Sequence, residues 1–208
     1  MFYHIRMRTD QRIVHAMAEL LRVQGYAATG IQQLSRASGA PTGSIYHHFP
    51  GGKRDVAAAV LRQTGAAYIQ LLPMLLDPYA DLASGVEAAF TAAAEDMAST
   101  GWANMCPVGT ITGEIADSEP ELREVADEVM ASWIDEGSRY LAARGLSDTD
   151  SREAIYALLT ALEGAFILAR GQRRTEPLHA AGRAMSTYVA TLPTASEASP
   201  ATHRHAPS

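Results

Sequence analysis

Residues 41–53, Pro-Thr-Gly-Ser-Ile-Tyr-His-His-Phe-Pro-Gly-Gly-Lys, gather the side chains best suited to touching another molecule. The hydroxyls of Thr42, Ser44 and Tyr46, the imidazole of His47 and the ammonium of Lys53 can all donate to phosphates or base edges. Gly43 has no side chain, so a partner can approach the backbone there. Ile45 and Phe49, four apart, give a short helix one apolar stripe and leave the polar tips on the opposite side. An apolar back with a hydrogen-bonding front is what a major groove requires of its reader. Ahead of this segment Ile31, Leu34 and Ala37 share helical spacing, and Ser38-Gly39-Ala40 breaks the run. Pro41 can then occupy the first turn of a second helix, and Gly39 suits a left-handed corner where a Cβ would be costly. The pattern predicts a helix-turn-helix that binds double-stranded DNA. Its candidate contacts are Thr29, Pro41, Thr42, Gly43, Ser44, Tyr46, His47 and Lys53, with Thr29 also expected to cap the first of the two helices.

Other chemistries fit this segment poorly. His48 is expected to pack toward the rest of the protein. Neighbouring helical residues diverge by about a third of a turn, so His47 and His48 do not converge on one metal ion. Gly51-Gly52-Lys53 ends like a phosphate-binding P-loop, but the first glycine of that motif would fall on His47. No metal and no cofactor is expected.

Charge supports the nucleic-acid reading. The 208 residues carry a net −6. Residues 1–64, however, hold eight basic side chains (Arg6, Arg8, Arg12, Arg22, Arg36, Lys53, Arg54, Arg62) against Asp10, Glu19 and Asp55, a net +5 that leaves −11 elsewhere. A basic module on an acidic body places phosphate attraction where the helix-turn-helix lies. An apolar content of 47% with 19% charged residues is that of an ordinary globular protein. The lone Cys106 excludes an internal disulfide. The first residues lack a signal-peptide core, and no unbroken run of eighteen apolar residues occurs, so a cytoplasmic protein with no membrane partner is expected.

Periodicity extends helices through the chain and offers no convincing strand. Ile13, Met17, Leu20 and Leu21 mark a first helix over about 8–24. After the helix-turn-helix, a long helix starts at Lys53 and runs to about Leu72, where Pro73 and Pro78 close or kink it. Further helices are expected over about 81–99, 106–116, 119–145, 149–170 and 177–192. Asp148 to Ser151 would cap the second-last, whose apolar run between Ala154 and Ala169 calls for burial on most sides, a subunit interface included. The fold class expected is all-α with about nine helices. A DNA-binding domain would cover 1–52, a ligand-binding and dimerisation domain 53–192, and a disordered tail 193–208.

The residues Gly25-Tyr26, Thr29, Gly39, Gly43, Tyr46 and Phe49, at these spacings and followed by a helical body, resemble the tetracycline-repressor (TetR) family. Ala28-Thr29-Gly30-Ile31, Ser38-Gly39-Ala40-Pro41, Phe49-Pro50-Gly51-Gly52-Lys53, Cys106-Pro107-Val108 and Leu162-Glu163-Gly164-Ala165 narrow the likeness to the LmrA/YxaF-like branch. The resemblance implies a homodimeric repressor of a near-palindromic operator, with the last two long helices at the interface and release by a small aromatic molecule. At Thr42 this chain departs from the basic residue usual in that branch.

In the body, Phe90, Met97, Trp102, Cys106, Trp133 and Phe166 could line an apolar pocket, and Asn104, Thr110 and Glu163 could orient the polar end of an effector. Thr112 and Glu114 belong to the same polar set. Plain core is the competing account for each aromatic taken singly. Glu163, set in Ala161-Leu162-Glu163-Gly164-Ala165-Phe166, would be costly without a partner: it could bind a ligand, pair with an arginine across the dimer or hold a neighbouring helix, and structural pairing is the favoured account. The rival function is a helical small-molecule carrier or enzyme using the body cavity, although no catalytic constellation supports catalysis.

Overall fold

The computed structural model describes residues 7–103, 105–115 and 118–193. Among the described residues the chain is all-α, with nine helices: α1 (Thr9–Gln24), α2 (Ile31–Ser38), α3 (Thr42–His48), α4 (Lys53–Leu76), α5 (Leu82–Ser99), α6 (Pro107–Ile115), α7 (Pro120–Ala143), α8 (Asp148–Gln172) and α9 (Glu176–Ala190). Asn104 and the tail from residue 194 onward, both subjects of expectations above, lie outside the described residues.

The helix-turn-helix forms as its spacing requires. Leu34 of α2 and Ile45 of α3 are buried with Ile13, Met17 and Leu21 of α1. Gly39 turns the corner in the left-handed region at φ 63°, and the Ser35 hydroxyl closes it by donating to the Ala40 carbonyl at 2.8 Å. Pro41 stands just outside α3 as its N-cap, in extended geometry, rather than inside the first turn.

Three further differences from expectation have local causes. First, α4 passes through Pro73 to Leu76. A proline so near the helix end sacrifices one bond, and the last turn is held from outside. Asp77 N–H donates to the Pro73 carbonyl at 2.9 Å, while the Arg144 guanidinium donates to the Leu76 and Tyr79 carbonyls at 3.2 and 2.8 Å. Second, α8 is capped by Ser147, whose Oγ accepts from Asp150 N–H at 3.1 Å, and Asp148 and Asp150 fall in the first turn at the dipole's positive end. Third, α8 is long and apolar enough, by length and composition, to cross a membrane. Its mean apolarity does not need an unbroken run. Here its inner side packs on α7 and α9, while Tyr156, Ile167 and Leu168 are exposed.

The apolar core falls into two clusters. One joins α1–α4 with α6 and α7, from Ile13 through Ile45 and Leu61 to Ile111, Leu122 and Trp133. The other joins α5, α8 and α9 with the far ends of α4 and α7, from Leu76 and Phe90 to Ile134, Leu158 and Met185. Leu159 packs against both.

Candidate nucleic-acid interface and interior site

Seven residues make α3, and Ile45, fully buried, fixes which way they face. Pro41, Gly43, Tyr46 and His47 are exposed, and Thr42 and Ser44 are half-buried beside them. A Cβ built on Gly43 would meet nothing within 4 Å, so a groove could close on this backbone. Tyr46 is 49% exposed, its ring edge resting on Gly52, where a Cβ would come within 2.9 Å of Cε1. His48 is exposed too, against the expectation that it packs inward. Three positions after Ile45 it lies at the margin of the buried stripe, and its ring stands edge-on to His47 with centroids 5.1 Å apart.

Two expected DNA contacts are engaged within the protein. Thr29 is only 2% exposed, and its hydroxyl donates to the Gly25 carbonyl at 2.7 Å. The N-cap of α2 is Gly30, so Thr29 supports the α1–α2 connection from inside and presents no hydroxyl to solvent. Lys53 extends its ammonium over the Tyr26 ring, 3.9 Å from the centroid. Burial there lowers the ammonium's pKa, an effect opposed by the charges of Glu119 and Glu114.

Sequence reasoning missed the junction surrounding that lysine. The Tyr26 hydroxyl donates to Glu119 Oε1 at 3.2 Å, and Ala27 N–H donates to Glu114 Oε2 at 2.8 Å. Burial first, then the Glu119 charge, push the Tyr26 phenol up to about 12. Gly25, at φ 82°, lies so close to the Glu114 carboxylate that no Cβ would fit between them. Arg54 pairs with Glu121, and Arg170 of α8 donates to the Val23 carbonyl at 3.2 Å. Glu114, placed by sequence among the pocket's polar groups, therefore holds the α1–α2 connection. Only the excess of carboxylates in Glu114 to Glu121 hinted at this role.

The predicted pocket residues divide. Phe90 and Met97 are buried in the core shared by α5, α8 and α9, 4% and 0% exposed, and offer a ligand no free surface. Trp102 and Phe166 are half-buried at the edge of that core, Trp102 with an unusual positive φ of 68°. Cys106, Thr110, Trp133 and Glu163 belong to a separate group that also contains Tyr68. The Tyr68 and Trp133 rings stack, centroids 5.9 Å apart and planes 17° from parallel, and Trp133 Nε1–H donates to the Gly65 carbonyl at 2.9 Å. Tyr68 continues the line of Leu61 and Gly65 along α4 at helical spacing, a signal the sequence reading passed over.

Glu163 reaches from α8 to the first turn of α6, against the bare backbone of Gly109. The Cys106 thiol lies beside its carboxylate. Burial raises the carboxyl's pKa, and burial followed by the Glu163 charge raises that of the Cys106 thiol, which stays protonated. Tyr68 is likewise raised, by burial first and then by Cys106 and Glu163. The Thr110 hydroxyl oxygen is buried without a hydrogen-bond partner. Two surface recesses, of about 470 and 490 Å³, lie away from this group, one along α1 near Arg12 and His15, the other on α5 near Ser84 and Thr91. No group of three or more His, Cys, Asp or Glu among the described residues could hold a metal ion.

Known proteins share both halves of this arrangement. Residues 13–60 match the bacterial regulatory proteins of the tetR family, and residues 83–184 match the C-terminal domain of LmrA/YxaF-like transcriptional regulators. Two Bacillus subtilis proteins, the HTH-type transcriptional regulator LmrA and the uncharacterized HTH-type transcriptional regulator YxaF, are each 29% identical over 168 residues. Those alignments span 81% of this chain and 89% and 88% of the two relatives. The crystal structure of a regulatory protein TetR from Rhodobacter sphaeroides is similar with a TM-score of 0.75 and 26% identity, over 86% of this chain and 98% of that one.

Proposed function

Because this chain belongs to the tetR family of bacterial regulatory proteins, in its LmrA/YxaF-like branch, we propose that it is a repressor released from its operator by a small aromatic molecule. Regulators of this family bind operator DNA and act as dimers, and neither the fold nor the relatives are those of an enzyme. The observation that carries the reading is α3. Its Ile45 side is sealed, while Pro41, Gly43, Tyr46 and His47 are open to a groove, on a module of net positive charge. Thr42 and Ser44 come nearest to base edges, and Tyr46 reaches phosphate. Lys53 joins them when it leaves Tyr26.

The dimer forms through α8 and α9, covering Tyr156, Ile167 and Leu168, which the single subunit leaves exposed. The effector enters beside Tyr68, Trp133 and Glu163. To act, it binds the non-operator conformation more tightly than the operator-bound one, since equal affinity for both shifts nothing. Operator DNA is the partner, which fits a cytoplasmic protein.

Fluorescence anisotropy on the DNA upstream of the protein's own gene tests this directly. The expected result is a specific complex that weakens as salt rises, because neutralised phosphates release counterions, together with lower transcription from that promoter. Binding with activation, or no salt-sensitive complex, defeats the proposal.

A further inference from the structure

Glu163 stands at the seam between the two apolar clusters, and its surroundings are short of one charge. Its carboxylate lies against the Cys106 thiol and the bare backbone of Gly109. An ionised carboxylate can accept about four hydrogen bonds. No arginine, lysine or histidine pairs with it: the ion pairs among the described residues use other carboxylates throughout. The ionisable neighbours it does have, Cys106 and Tyr68, are acids, and the cation that acts on Tyr68, Arg22, is paired with Glu19. A carboxylate taken out of water without a cation carries an unrecovered desolvation cost.

Stacked aromatic rings lie in the same neighbourhood. Tyr68 senses the Glu163 charge, and Tyr68 lies against Trp133. Ring faces attract cations by their quadrupole, most strongly where water is excluded. The Thr110 hydroxyl on the same turn of α6 is buried and unpaired. Tyr68, Thr110 and Glu163 are each half-buried, whereas the Thr110 hydroxyl, Cys106 and Trp133 are buried.

The geometry points to an effector that is an organic cation: a monovalent ammonium on an aromatic frame, its charge against the Glu163 carboxylate and its apolar part against the Tyr68–Trp133 stack. This deepens the effector reading above and rests on it. The missing positive charge is supplied by the ligand, and a neutral molecule of the same shape leaves the carboxylate's cost unrecovered.

The test compares aryltrimethylammonium ions, phenyl and naphthyl, with the tert-butyl arenes of the same shape, using the full-length protein and calorimetry. In the wild type the ammonium should bind roughly tenfold more tightly than its carbon isostere, as expected for a desolvated cation–ring contact reinforced by a carboxylate. The ratio should fall to within about twofold in Glu163→Gln and recover in Glu163→Asp. Because each ratio is taken within one protein, a general loss of fold does not imitate the result. Equal binding of ammonium and isostere by the wild type, binding of neither, or a preference that survives Glu163→Gln each overturns the inference. Operator binding, measured on the same samples, separates the two readings. A protein that binds operator but shows no cation preference loses only this inference, and one that forms no operator complex loses the repressor reading whatever it binds.

Discussion

The Lys53 ammonium lies 3.9 Å from the centre of the Tyr26 ring, and the hydroxyl of that ring donates to Glu119. A cation well placed for a phosphate is thereby held by the acidic edge of the body, with Glu114 also exerting its charge on it. In the proposed operator complex, DNA and body compete for this one lysine. Glu119→Gln should therefore tighten binding to any duplex, by about 0.5 kcal/mol or a few-fold at low salt. Lys53→Ala should weaken binding to all sequences alike and reduce the salt slope by about one. Anisotropy titrations at several salt concentrations check both, and weaker binding by Glu119→Gln would show that the carboxylate only holds the module in place.

Thr29 is expected to affect stability rather than recognition. Thr29→Val removes the hydroxyl that satisfies the buried Gly25 carbonyl, at a cost of about 1–3 kcal/mol. Thermal unfolding should register that loss, whereas selection from a randomised operator pool should return the wild-type sequence. A changed base preference would return Thr29 to the DNA surface.

The proposed dimer face separates two neighbouring positions on α8. Leu168 is 55% exposed and Ala165 only 5%. Leu168→Glu should give folded monomers by light scattering, with a wild-type circular dichroism spectrum and weak operator binding. Ala165→Glu buries a charge inside its own subunit and should instead lower the melting temperature sharply. A dimeric Leu168→Glu protein would move the interface off this side of α8.

The Glu163 carboxyl has its pKa raised by burial, which fixes the sign of its pH effect. Below the ordinary carboxylate range it is protonated in both folded and unfolded chains and costs nothing. As pH rises from there through its folded pKa, the unfolded chain ionises first and stability is lost. Glu163→Gln should consequently raise the melting temperature at pH 7 to 8 and give no gain near pH 4. An equal gain at both pH values would assign the effect to packing.

Helix number, the corner at Gly39 and the sealed Ile45 side were legible because each follows from local spacing and backbone preference. The same holds for the outward facing of Pro41, Gly43, Tyr46 and His47. What escaped the sequence depends on partners distant in the chain. No periodicity shows that Glu114 accepts from Ala27 N–H, or that Arg144 restrains the end of α4 beyond Pro73. Aromatic content marked Trp133 correctly as interior. Its bond to the Gly65 carbonyl and its stacking on Tyr68 emerge only once α4 and α7 lie side by side.

The close fit of Gly25 against Glu114 bears on how such regulators can be recombined. The α1–α2 connection is completed by carboxylates from beyond residue 100, and the apolar cluster beneath it continues from α1 into α7. A reading head cut at residue 52 and grafted onto another body would lose the acceptors of Ala27 N–H and the Tyr26 hydroxyl. It would also uncover the apolar underside that α6 and α7 now occupy. If the outward side chains of α3 read the operator, as proposed above, exchange of specificity between relatives is cleanest by replacing those side chains alone, leaving the seam with the body intact.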